Sequence, residues 1–167
     1  MKKLIAIGAV VALLIISAVP AMAATTQDVT VTADPIFVSI SNSPNTYDFG
    51  AVATSSTPST TSNYFTIDNT SDVATNISIS VTTAAWSGGA GWTHSDTATA
   101  GVDTAGLKSG TGGTNDIIVK NASPNNLVSS LAADTDYTWN MQLITPTSFT
   151  DGVQKLIVVR LTATAAS

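Results

Sequence analysis

Cysteine is absent from all 167 residues of the chain. Disulfides, thiolate nucleophiles, cysteine-based zinc sites and a lipidated N-terminal cysteine are thereby excluded. Glutamate is missing too, so all eleven acidic residues are Asp. Asp favours turns because its carboxylate bonds nearby backbone amides, whereas Glu is a helix former. There are only six basic residues and one histidine, His94. So few cations give no footprint for nucleic acid or for an anionic membrane surface.

What is present begins with "MKKLIAIGAVVALLIISAVPAMA". Lys2 and Lys3 precede an apolar run from Leu4 to Val19, and Ala21-Met22-Ala23 places small residues at a cleavage site. This pattern predicts a secretory signal peptide over 1–23, cut before Ala24. The run is shorter than the ~20 residues a membrane-spanning helix needs. The remaining 144 residues, 24–167, suit a single domain. Loss of the two leading lysines takes the formal charge from −5 to −7. Ser and Thr make up 45 of those 144 residues, a vocabulary suited to the solvent faces of strands.

Period-two alternation recurs between turn clusters. The runs are "DVTVTA" (28–33), "IFVSIS" (36–41), "YDFGAV" (47–52), "NYFTID" (63–68), "NISISV" (76–81), "DIIVK" (116–120), "YTWNMQLI" (137–144) and "QKLIVVRLTATA" (154–165). Such alternation predicts half-buried strands, with Trp139, Met141 and Leu143 in phase toward a core. A short helical turn is expected near "NNLVSSL" (125–131), and the Ser/Thr-rich segment 53–62 reads as a loop. Eight or nine short strands in one domain predict an all-β, antiparallel, immunoglobulin-like sandwich over 24–167.

The stretch 47–81 resembles the opening half of prokaryotic immunoglobulin-like surface domains of the hydin type. Asp48-Phe49-Gly50-Ala51-Val52 and Phe65-Thr66-Ile67-Asp68-Asn69-Thr70-Ser71 carry the resemblance, although the glycine expected in the intervening turn is replaced by Ser, Thr and Pro58. It implies a surface-exposed sandwich and no particular chemistry. A cell-wall-binding family marked by repeated Trp-x-Leu is similar more loosely. Its motif is not met, since the tryptophans head Trp86-Ser87-Gly88, Trp92-Thr93-His94 and Trp139-Asn140-Met141.

The residues with chemical potential concentrate in "WSGGAGWTHSD", Trp86 to Asp96. A lone His94 beside Ser95 and Asp96 makes no catalytic triad by adjacency, and no Gly-x-Ser-x-Gly elbow exists. Its glycines precede no helix, so no phosphate cradle is expected. Trp86 and Trp92, with Asp96 to catch hydroxyls, could form an exposed shelf for a glycan, or could cap the end of the fold. A structural calcium ion could be held by Asp134 and Asp136, or by Asp96, Asp103 and Asp116. No other cofactor is expected. Sequons at Asn69, Asn76 and Asn121 are candidate glycosylation sites in a host with the machinery.

The segment "ATTQDVTVTADP" after the predicted cleavage site is an alternating strand at a free end, the kind that exported subunits lend to a neighbour's open sheet edge. The expectation is therefore a secreted or cell-surface, non-enzymatic structural protein. It would associate with itself or with another envelope protein through strand edges, with no nucleic-acid partner. A carbohydrate- or cell-wall-binding module using the tryptophans is the alternative, and a hydrolase using paired Asp residues is a third reading.

Overall fold

The computed structural model describes residues 30, 32–33, 35–121 and 123–167. The signal-peptide reading over 1–23, and most of the strand expected at 28–33, lie outside the described residues. The chain divides into two compact units, Met1–Asp34 and Pro35–Ser167. The second is all-β, without a helix among its described residues.

Nine strands follow in order: β1 (Ile40–Ser43), β2 (Phe65–Asn69), β3 (Thr75–Val81), β4 (Thr93–His94), β5 (Thr104–Gly110), β6 (Ile117–Val119), β7 (Asn125–Leu131), β8 (Thr135–Ile144) and β9 (Val159–Ala165). They form a six-stranded sheet, β1-β2-β8-β5-β4 with β6 also on β5, and a three-stranded sheet, β7-β3-β9. All pairings are antiparallel except β4 with β5.

β8 is the spine of the larger sheet. Its first half pairs with β2, from Thr135 opposite Asn69 to Trp139 opposite Phe65. Its second half pairs with β5, from Asn140 opposite Gly110 to Ile144 opposite Gly106. The Ser/Thr-rich segment extends the β2 side, with bonds from Thr60 N–H to Met141 O and from Leu143 N–H to Pro58 O. It is thus a loop stitched to its own domain.

Alternation explains the core. Phe65, Ile67, Trp139, Met141 and Leu143 from the larger sheet, and Ile77, Ile79 and Val81 from β3, are buried in one cluster. Phe65 stacks on Trp139 with ring centroids 4.4 Å apart, and the indole N–H donates to Asn42 Oδ1 at 2.9 Å.

Three expectations fail for identifiable reasons. Residues 125–131 form strand β7, not a helical turn. Register shifts between Thr75 and Ser78 break the alternation of β7, so that Ser129 is exposed between the buried Leu127 and Leu131, whose four-residue spacing also fits a helix. Residues 47–52 form no strand, because the Gly50 N–H donates to Asp48 Oδ1 at 2.7 Å and Gly50 has φ +66°. The third is an omission. "TAGLKSG" is a full strand, β5, hidden by two glycines. A Cβ on Gly106 would sit 2.7 Å from the Ala98 Cα, and one on Gly110 would sit 2.3 Å from the Thr114 carbonyl oxygen. Close backbone approach selects glycine here against its low strand propensity.

Candidate functional site

The 86–96 loop folds as a clasp. The Trp86 N–H donates to Trp92 O at 2.8 Å, and Ser87 exchanges backbone bonds with Leu156 at 2.8 and 3.0 Å. Gly88 has φ +103°, and a Cβ there would meet the Gln154 carbonyl oxygen at 2.1 Å. The glycines thus serve close packing against the 151–155 turn. Lys155 Nζ locks that contact, donating to the carbonyls of Gly88 and Ala90, each at 2.7 Å, and to Asp151 Oδ1. The Ala90 N–H donates to the other Asp151 oxygen. The Lys155 hydrogen bond, with the Ala90 amide second, holds the Asp151 carboxyl below its ordinary value.

Both tryptophans of this loop are buried, Trp86 at 7 % and Trp92 at 6 % exposure. Of the two readings of these rings, an exposed shelf or a cap on the fold, their burial agrees with the cap. Trp92 stacks on Phe149 at 5.3 Å, and Trp86 packs edge-on against Trp92 at 5.7 Å. Rings already occupied by aromatic neighbours gain more from burial than from solvent. Asp96, the third member of the shelf, accepts the Asn121 N–H at 2.7 Å. His94 is buried, with Nε2 2.8 Å from the Val119 carbonyl oxygen, so that nitrogen carries the proton and donates. Asp96 Oδ1 lies 3.9 Å from the same nitrogen, and Ser95 Oγ bonds to the Thr99 N–H instead of to the ring. The buried Nδ1 of His94 and the indole nitrogens of Trp86 and Trp92 have no partner.

The acidic candidates stay dispersed. Asp134 sits in the β7–β8 turn with φ +53°, its N–H donating to Asn69 O at 2.9 Å. Asp136 lies exposed on β8, opposite Asp68 across the sheet. Asp103 accepts the Thr150 N–H at 2.8 Å and also bonds the Thr150 hydroxyl. No three His or Asp side chains gather as a metal site among the described residues. Asp96, Asp103 and Asp116 therefore do not converge as a calcium set.

The sequons also separate. Asn69 is fully buried, its Nδ2 bonded to the carbonyls of Leu131 and Ala132 at 2.9 Å each and of Val73 at 3.2 Å. An amide sealed inside the fold cannot take a glycan in the folded chain, which removes Asn69 as a site. Asn76 is half-buried, its Oδ1 accepting the Ser130 N–H at 2.9 Å. Asn121 is half-buried beside Asp96.

One feature has no counterpart in single-residue motifs. Between β1 at one sheet's edge and β9 at the other's, a cleft of about 1100 Å³ enters the sandwich. That is slightly above the ~300–1,000 Å³ of ordinary ligand pockets. Phe65, Trp139 and Met141 line it from the larger sheet, Val159 and Leu161 from the smaller, and Ile157 from the segment that leads into β9. Close-packed interiors tolerate few voids larger than a water molecule, so among the described residues this opening leaves core side chains uncovered. Its rim is apolar as well: Val153, Leu156 and Val158 are 52–64 % exposed. No family model, curated protein or solved structure matches the chain.

Proposed function

We propose that this chain is an exported, non-enzymatic structural protein that assembles with copies of itself, or with another envelope protein, through strand edges at a cell surface or in an extracellular filament. The observation that carries this reading is the apolar cleft between β1 and β9, with an exposed apolar rim and a strand edge on either side. Apolar surface of this kind, contiguous and bordered by polar strands, marks an interaction site. Export rests on the signal-peptide pattern of residues 1–23, and the immunoglobulin-like topology on the resemblance of 47–81. The carbohydrate-binding alternative loses its main support with the burial of Trp86 and Trp92.

The test is a concentration series of purified 24–167 followed by light scattering and negative-stain microscopy, with and without Ca²⁺. Ordered particles growing with concentration are expected. A chain that stays monomeric under every condition, and is missing from cell-surface fractions of its source, overturns the reading.

A further inference from the structure

We propose that the cleft receives the segment Gln27–Ala33 of a second copy, which adds as a fourth strand beside β9. This rests on the self-assembly reading above and names its contact. β9 pairs with β3 through seven consecutive positions, from Val81 opposite Val159 to Thr75 opposite Ala165. On its other side no strand pairs with it among the described residues. The smaller sheet therefore has three strands against six, and the place of a missing fourth coincides with the cleft.

The segment suits that place by pattern. "VTVTA" at 29–33 reproduces the alternation of "VRLTATA" at 159–165. In β9 the half-buried side chains are Val159, Leu161 and Ala163, while Arg160, Thr162 and Thr164 are exposed. Successive strand residues face opposite sides, so a neighbouring strand with Val29, Val31 and Ala33 inward brings Thr30 and Thr32 outward beside the β9 threonines. Cross-strand Thr pairs and inward β-branched pairs both favour sheet formation. Backbone hydrogen bonds to the free edge supply affinity, and the apolar cleft selects the alternate side chains. The eleven residues from Ala24 to Asp34 reach up to roughly 36 Å when extended, longer than a seven-residue strand of roughly 23 Å.

A second copy, not the same chain, is assigned because each chain carries two different apolar surfaces. Ile36 and Phe37, just after the segment, are 64 % and 61 % exposed, and the acceptor rim carries Leu156 and Val158 at 64 % and 55 %. Two unlike, complementary surfaces on one subunit produce head-to-tail association that continues as a fibre when it does not close. Asp34 precedes Pro35, a sequence that disfavours helical backbone at the residue before the proline.

The chain's lack of cysteine makes the test clean. Full chains bearing Val31→Cys and, separately, Leu161→Cys are given tags of different size, mixed and oxidised. Val29→Cys and Ala33→Cys versions cover a shift of register. Neighbouring strands bring facing Cβ atoms to about 4.5–5.5 Å, near the span a disulfide needs. A mixed-tag disulfide from the two single variants, and a ladder of multimers from the double variant, are expected. A double variant that closes only within single chains overturns the proposal. So does the absence of any disulfide in particles that still form, and that result leaves the assembly reading standing. Absence of both disulfide and particles removes the two together. As a second measurement without substitutions in the protein, a peptide of residues 24–37 is added to the unaltered chain. It should arrest particle growth, and the same peptide with Val29→Asp and Val31→Asp should not. Equal effects of the two peptides overturn the proposal.

Discussion

Replacing Asn69 tests how the two sheets are joined. Its side chain occupies a fully buried position at the end of β2 and reaches the turns that follow β2 and β7. Nδ2 faces three carbonyl oxygens, those of Leu131, Ala132 and Val73, with only two protons, so one proton is shared. Oδ1 accepts the Ser71 N–H at 3.1 Å. Asn69→Ala removes about three effective hydrogen bonds at roughly 1 kcal/mol each, plus roughly 1 kcal/mol for the vacated space, giving about 3–4 kcal/mol. With a urea m-value of ~2 kcal/mol/M, the midpoint falls by about 1.5–2 M. Fluorescence of the three buried tryptophans reports the transition. Asn76→Ala is the control: it gives up one bond from a half-buried side chain, worth about 1 kcal/mol. Asn69→Asp adds a sign. Its carboxylate would face three carbonyls with no proton to offer, so burial raises the folded-state pKa and acid partly restores a donor. The variant should be most handicapped at pH 7 and recover relative to the parent near pH 4. Asn69→Ala and Asn76→Ala matching to within about 0.5 kcal/mol would refute the reasoning, as would a larger Asn69→Asp penalty in acid.

Other perturbations read the remaining contacts. Asp151→Asn should lower the melting temperature at pH 7. Because the Asp151 pKa is depressed below 3.8, its contribution is fully present above that value and fades as pH falls through the folded-state pKa, so parent and variant should converge only in melts taken well below 3.8. Gly106→Ala places a Cβ 2.7 Å from the Ala98 backbone and should cost about 1–3 kcal/mol in urea titrations. Gly50→Ala, at φ +66° with nothing within 4 Å, should cost only about 1 kcal/mol, so an inverted order would contradict the packing argument. Trp139→Ala removes a ring stacked on Phe65 and should cost about 3–5 kcal/mol by the same assay.

How much of this was visible in the sequence follows from where alternation survives. β2, β3 and β8 keep strict alternation and were found within a residue or two, with Trp139, Met141 and Leu143 correctly inward. β5 was invisible because Gly106 and Gly110 erase the pattern for the sake of close approach. β7 was misread because its register shifts leave Ser129 exposed between the buried Leu127 and Leu131, a four-residue spacing that a helix also fits. The tryptophan loop left two readings open, an exposed shelf or a cap on the fold. Glycine flanking suggested exposure, but Gly88 and Gly89 bring the loop against 151–155, which encloses the rings instead of presenting them. The cleft could not be read at all, because it lies between two sheets whose relative placement no single run of sequence specifies.

The edges of those sheets are not treated alike, and the asymmetry bears on what β9 is for. A free edge of paired, regular strand invites another chain, and proteins blunt edges with brevity, proline or bulges. β1 has four residues and stops at Pro44, which has no N–H to offer. β4 and β6 have two and three residues. β7, the far edge of the smaller sheet, is bulged against β3, and its Ser130 takes φ +51° with the N–H bonded to Asn76. β9 alone is both long and regular, seven residues in unbroken register, with Arg160 its only charged side chain. It is also the edge beside the apolar cleft. Among the described residues, four edges made unattractive and one left open is the arrangement that directs association to a single place. Extending that one edge with a bulge, or placing Pro at Leu161, should abolish particle growth while the same change at β7 leaves it intact.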